Sequence, residues 1–101
     1  MNNAEIVYNG RDNHIELQLR ENGGNLVDYA PITRVLVTVG ATAIDSDINP
    51  QLLDWSGEYL IIKAGLASLS AGAHTVRIET WDIDNPNGVV WTESLRIVVR
   101  Q

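Results

Sequence analysis

Two runs near the end of the chain decide its fold. They are Ala73-His74-Thr75-Val76-Arg77-Ile78-Glu79-Thr80-Trp81-Asp82 and Val89-Val90-Trp91-Thr92-Glu93-Ser94-Leu95-Arg96-Ile97-Val98-Val99-Arg100, joined through Asp84-Asn85-Pro86-Asn87-Gly88. In the first run Val76 and Ile78 alternate with Arg77 and Glu79, and in the second Leu95, Ile97 and Val99 alternate with Arg96 and Arg100. Alternation with period two is the mark of a strand with one buried face. Pro86 suits the second position of a type I turn, and Gly88 can take a left-handed conformation after it. The two runs therefore predict a long terminal hairpin, to which the rest of the chain adds strands.

Parity constrains this hairpin. Trp81 and Trp91 each lie five residues from Pro86, so a turn centred there puts both on one face. Continued unchanged, that register sets Val76 and Ile78 on the face opposite Leu95 and Ile97. A one-residue slip turns every side chain over and is not tolerated when one face is core. A β-bulge near Glu93 or Ser94 would restore the match, leaving Trp81 and Trp91 on the outer face beside Glu79 and Glu93. Either loop residues around Trp55 cover the two rings, or they form an exposed aromatic contact patch of the kind enriched at interfaces.

Upstream, Ala4 to Tyr8 reads as a short strand or arm, followed by a polar turn over residues 9–13. His14 to Glu21 alternates cleanly, with Ile15, Leu17 and Leu19 inward. Glu21 to Asn25 is a turn, and Leu26 to Ala30 a short extended piece ended by Pro31. Ile32 to Val39 is the strongest strand and, apolar on both faces, reads as central. Gly40-Ala41 turns tightly into Thr42 to Asp45. Asp45 to Gly57, with Pro50 and Trp55, reads as the longest loop. Glu58 to Lys63 is a further strand, and Ala64 to Ala71 one helical turn. About seven strands at short, regular intervals, without helical periodicity, predict an all-β fold: one antiparallel sandwich, with residues 14–101 as the domain and residues 1–13 as an N-terminal arm or edge strand.

Composition narrows the function classes. The 101 residues, 45% hydrophobic with no Phe, suit one domain whose core is built from Val, Ile and Leu. Thirteen acidic against seven basic residues give a net charge of −6. That balance lacks the basic face needed for nucleic acid and opposes an anionic membrane surface. No cysteine is present, which removes disulfides and thiolate metal sites. Residues 1–13 lack the basic start and apolar stretch of a signal peptide. No apolar run approaches the roughly 20 residues of a membrane helix, so synthesis in the cytoplasm is expected.

The candidate chemical sites are weak. Asp45-Ser46-Asp47-Ile48-Asn49 and Asp82-Ile83-Asp84-Asn85-Pro86-Asn87-Gly88 place oxygens at alternate positions, as calcium loops do. The second misaligns as an EF-hand, with Pro86 fifth and Gly88 one position late. Asp and Asn are also ordinary turn formers, and no cofactor or metal is expected. His14 and His74 stand apart at strand starts without further ligands. No serine has nucleophile-elbow context, and Gly23-Gly24 makes no phosphate loop. No enzyme activity is expected.

Leu69-Ser70-Ala71-Gly72-Ala73-His74-Thr75-Val76 resembles the corner of immunoglobulin-like domains, in which Leu-x-x-Gly-x-Tyr-x-Val enters the penultimate strand. Here His74 replaces the usual tyrosine. The wider layout, Ile15 to Gly23, Thr33 to Gly40 and Ile44 to Ser46, is similar to small immunoglobulin-like structural proteins of tailed bacteriophage virions. The resemblance implies a virion accessory protein, foremost a capsid decoration or cement protein that binds the head lattice through β-surfaces, or else a neck or tail component. Its partners would be other virion proteins (capsid, neck or tail), with homo-oligomerisation left open and neither nucleic acid nor membrane among them. Trp55, Trp81, Trp91, Ile6 and Tyr8 are the candidate partner-binding residues, with residues 1–10 as an arm for strand addition onto a neighbour. A carbohydrate or cell-surface binding module using Trp81 and Trp91 is the rival reading. A spacer domain without a ligand is the third.

Overall fold

The computed structural model describes residues 4–18, 32–56, 59–91 and 96–101, and everything below concerns those residues. They form nine strand segments: β1 (Ala4–Tyr8), β2 (Ile15–Leu17), β3 (Ile32–Val39), β4 (Thr42–Asp45), β5 (Leu53–Ser56), β6 (Tyr59–Ile62), β7 (Gly72–Asp82), β8 (Asn85–Trp91) and β9 (Arg96–Arg100). Two single-turn 3-10 helices, Pro50–Leu52 and Ala64–Leu66, complete the elements. A six-stranded sheet runs β1-β9-β7-β3-β4 with β8 also on β7, and a three-stranded sheet runs β2-β6-β5. The all-β expectation holds.

The sheets share one core. Val35, Val37 and Val39 of β3, Ile44 of β4, Val76 and Ile78 of β7, and Ile97 and Val99 of β9 point inward from the larger sheet. Val7, Ile15, Leu53, Leu60 and Ile62 are buried in the same cluster. Of these, Ile15, Val35, Val37, Val39, Val76, Ile78, Ile97 and Val99 are residues that alternation marks in the sequence, and β3 is interior in its sheet, between β7 and β4. Ile32 and Val35 are both buried despite their odd spacing, because the β3–β7 register shifts between Ile32 and Arg34. Thr33 is the extra residue, and its hydroxyl donates to the Trp81 carbonyl at 3.2 Å.

The Gly40-Ala41 turn is as expected: Val39 pairs with Thr42, and Gly40 has φ +59°. A glycine in the left-handed region at the first central position is the requirement of a type II′ hairpin.

Five expectations change. The count of about seven strands rises to nine, and the sheet is mixed rather than antiparallel, because β1 pairs in parallel with β9. The stretch 45–57 is not one loop: it contains a 3-10 turn and β5, which puts Leu53 into the core opposite Ile62. The terminal run splits, β9 pairing with the first half of β7 and β8 with the second. Finally, the hairpin turns at Ile83-Asp84, with Asp82 opposite Asn85, rather than at Pro86. Asp82 causes this: its Oδ1 accepts the backbone N–H groups of Asp84 and Asn85 at 2.9 and 3.0 Å, closing a two-residue turn. Pro86 is left inside β8, in the irregular stretch where a missing N–H is tolerated. The expected bulge at Glu93 or Ser94, the inward placing of Leu19, the turn at residues 21–25 and the extended piece at residues 26–30 lie outside the described residues.

Ile78 sits fully buried between Val37 on one side and Trp91 on the other. Truncating Ile78→Ala should destabilise the domain by about 2–5 kcal/mol in equilibrium urea unfolding, the range for a large buried aliphatic residue cut to alanine. Exposed Thr75→Ala on the same strand should change stability by less than about 0.5 kcal/mol.

Candidate interaction surface

The three tryptophans occupy three different environments. Trp91 pairs with Ile78 and packs against the core, with its indole N–H donating to the Thr80 hydroxyl at 3.0 Å. Trp55, on β5 opposite Leu60, packs against the core from the smaller sheet. Its N–H donates to the Ile32 carbonyl at 3.3 Å, which ties β5 to β3 across the sandwich. Trp81 alone faces outward, directly opposite Arg34, whose guanidinium lies 4.5 Å from the ring centroid. A Cβ on Gly88 would lie 2.8 Å from the Trp81 ring, and Gly88 has φ +87°, so glycine meets both the close approach and the backbone conformation there.

Trp81 and Trp91 are therefore on opposite faces of β7 and its partners, not together as a turn at Pro86 requires. Moving the turn from Pro86 to Ile83-Asp84 changes the parity, and the two extra residues of β8 between the Asp82–Asn85 and Thr80–Val89 pairs, an even number, keep it. No paired aromatic platform forms.

Arg34 is the hub of the outer face at this end. It forks onto Asp45, with Nε 3.0 Å from Oδ1 and the terminal nitrogen on Oδ2, and also lies 3.5 Å from Asp47. Asp45 is buried, and its carboxyl is held below the usual carboxylate range first by the Arg34 hydrogen bonds, with help from the Asp47 N–H. The Asp-rich loops thus serve the fold. Asp45 Oδ1 also accepts the Asp47 N–H at 3.0 Å, and the Asp82 carboxylate is occupied by N–H donors. Among the described residues, no group of three or more His, Asp or Glu is arranged to hold a metal ion.

The His74 Nε2 donates to the Ser70 carbonyl, four residues upstream, at 2.7 Å. The ring lies against Gly40, where a Cβ would come within 2.6 Å of Nδ1. The second histidine, His14, is exposed and lies 3.4 Å from Glu16.

One exposed apolar group lies at the other edge of the large sheet. In the parallel β1–β9 pairing, Ile6 is opposite Val98, Tyr8 opposite Arg100 and Ala4 opposite Arg96. Val7, Ile97 and Val99 are buried, so these intervening residues form the outer face. Ile6 is 52% and Tyr8 46% exposed. Arg96 and Arg100 are exposed, and among the described residues neither forms an ion pair, whereas Arg34 and Arg77 are matched with Asp45, Asp47 and Glu79. Across β7, Arg96 faces Thr75 and Val98 faces Ala73, so the register neighbours bring no carboxylate. By contrast the smaller sheet presents Glu16 and Asp54 around Ile61 on its outer face. The remaining exposed isoleucines, Ile48 and Ile83, stand on separate turns among Asp47, Asp82 and Asp84. Isolated apolar tips of that kind are common on soluble proteins.

Of the five candidate residues, the structure brings Ile6 and Tyr8 together and leaves each tryptophan elsewhere. Sequence reading did not find Val98, Arg96 and Arg100 as their neighbours, because a parallel pairing of the first and last strands leaves no local pattern. Comparison with family models, curated proteins and solved structures finds no match to the chain. No helix among the described residues is long and apolar enough to cross a membrane.

The Arg34–Asp45 pair has a pH signature. Because the folded-state pKa of Asp45 is depressed, its stabilisation is full above the unfolded value of about 3.9 and is lost as pH falls through the folded value. The stability gap between the wild type and Asp45→Asn should be constant above about pH 5 and shrink below pH 4. Urea midpoints measured across that range check this, and a gap that stays flat on acidification contradicts it.

Proposed function

We propose that the chain is an immunoglobulin-like domain that acts without catalysis as an accessory structural protein of a tailed-phage virion, decorating the head lattice through the outer face of β1 and β9. Strand order supports the fold part of this reading. Named by the immunoglobulin scheme, β2, β6 and β5 fall where B, E and D do, and β9, β7, β3 and β4 where G, F, C and C′ do. The His74 bond to Ser70 at the corner agrees with it.

The observation that carries the binding part is the patch of Ile6, Tyr8 and Val98 beside two arginines without ion-pair partners. Elsewhere the described cations of this face are neutralised within the chain. A rigid sheet face with apolar residues at its centre and charge at its rim suits docking on a protein surface. A neck or tail surface would use the same patch. The carbohydrate reading is less supported, because Trp81 and Trp91 do not share a face on which a sugar could stack.

Co-sedimentation with empty capsids from the same source tests the proposal. The wild type should saturate the particles at high copy number. Ile6→Asp, which places a charge at the centre of the patch, should bind at least roughly tenfold more weakly, as for a contact worth over 1.4 kcal/mol. A domain that stays in the supernatant at every concentration rules out the decoration role.

A further inference from the structure

The edge of β1 has a second property, which deepens the proposed docking role and rests on it only for the partner's location. In a parallel ladder a strand directs the N–H and C=O of alternate residues toward the same neighbour. The Asn9 N–H donates to the Arg100 carbonyl at 2.9 Å. With Glu5 opposite Ile97 and Val7 opposite Val99, the backbone groups of Glu5, Val7 and Asn9 face β9, and those of Ala4, Ile6 and Tyr8 face away from it. Among the described residues, β1 is the last strand on this side of the sheet.

Tyr8 is closed off by the loop that follows. Its N–H donates to Asn13 Oδ1 at 2.8 Å, and its carbonyl accepts the Arg11 N–H at 3.3 Å. Ile6 has no such cover: among the described residues nothing bonds its outward N–H or C=O. An edge strand with open backbone groups is a template for another strand, and proteins usually guard such edges. Here the guard is complete at Tyr8 and absent one ladder step earlier. The open step lies beside the exposed Ile6 side chain and between Arg96 and Arg100, which flank it on the neighbouring strand.

We propose that the Ile6 edge accepts an acidic, extended segment of a partner protein, which adds to the large sheet as a further strand beside β1 and turns its carboxylates toward Arg96 and Arg100. Backbone hydrogen bonds at Ile6 fix its register, the Ile6 and Val98 side chains provide apolar contact, and the arginines select charge. This choice runs against the chain's net charge of −6, which by itself favours a basic partner. On this outer face the described charges flanking Ile6 are the two arginines of β9, while Glu5 alternates to the other face of β1; charges farther off are weakened by salt. A nucleic acid offers the same negative charge but no strand to complete the ladder, and its length would carry it across the acidic remainder of the surface.

The test compares two short capped peptides, one alternating valine with glutamate and one alternating valine with lysine, each added to the isotope-labelled full chain and followed by NMR. The glutamate peptide should bind at least roughly tenfold more tightly than the lysine peptide, and its binding should slow exchange of the Ile6 amide. Arg96→Glu combined with Arg100→Glu, both exposed and remote from the core, should reverse the preference. Ile6→Pro removes an N–H that points away from β9, a position where an edge strand tolerates proline, and should abolish strand addition.

Equal or better binding of the lysine peptide overturns the inference. So does binding without protection of the Ile6 amide, or no binding of either peptide at millimolar concentration. Capsid binding that survives the double arginine reversal also overturns it, while leaving the decoration role standing. Peptide binding with no capsid binding has the opposite meaning: the edge site stands and the virion role fails.

Discussion

β7 has to present one apolar face to two different partners in succession, and the rest of the molecule follows from how it does so. Its first residues pair with β9 and its last with β8. Between the Thr75–Arg96 and Ile78–Trp91 pairs lie two residues of β7 and four of the returning chain, an excess of two. A second excess of two lies between the Thr80–Val89 and Asp82–Asn85 pairs. Because side chains alternate with period two, an even excess leaves the inward set inward. Val76, Ile78, Trp91, Ile97 and Val99 therefore meet the same core, which an odd slip would scatter over both faces.

That arithmetic also decides which groups are left for other molecules. It turns Trp91 inward onto Ile78 and Thr80, and it sends Trp81 outward to be stacked by Arg34, itself fixed by Asp45. The aromatic residues that dominate the sequence to the eye are thus part of the scaffold. The free chemistry lies where the first and last strands meet: Ile6, Tyr8, Val98, Arg96 and Arg100, on a face with no register neighbour of opposite charge.

Much of the fold was legible because alternation is a local property. The strands around Val35–Val39 and Val76–Ile78, the Gly40-Ala41 turn and the single helical turn near Ala64 could be read directly, as could the all-β class. The terminal turn was misplaced because Pro86 and Gly88 are conspicuous turn residues, while the side chain that closes the turn belongs to Asp82, one position before it. β5 was hidden because Leu53-Asp54-Trp55-Ser56 is too short to show a period beside Pro50. The site was half legible. Ile6 and Tyr8 were named as candidate partner-binding residues of an N-terminal arm or edge strand, but β1–β9 pairing joins the two ends of the chain and depends on tertiary packing alone.

The claim on which both the core and the surface rest is the register of β7 against β8. A NOESY spectrum of the labelled domain measures it directly. Contacts from the Trp91 ring to the Ile78 and Thr80 methyl groups, with the Trp81 ring close to Arg34 and Gly88 instead, are the pattern this register requires. Cross-peaks between the Trp81 and Trp91 rings, or between Trp91 and Glu79, would put both indoles on one face and contradict it.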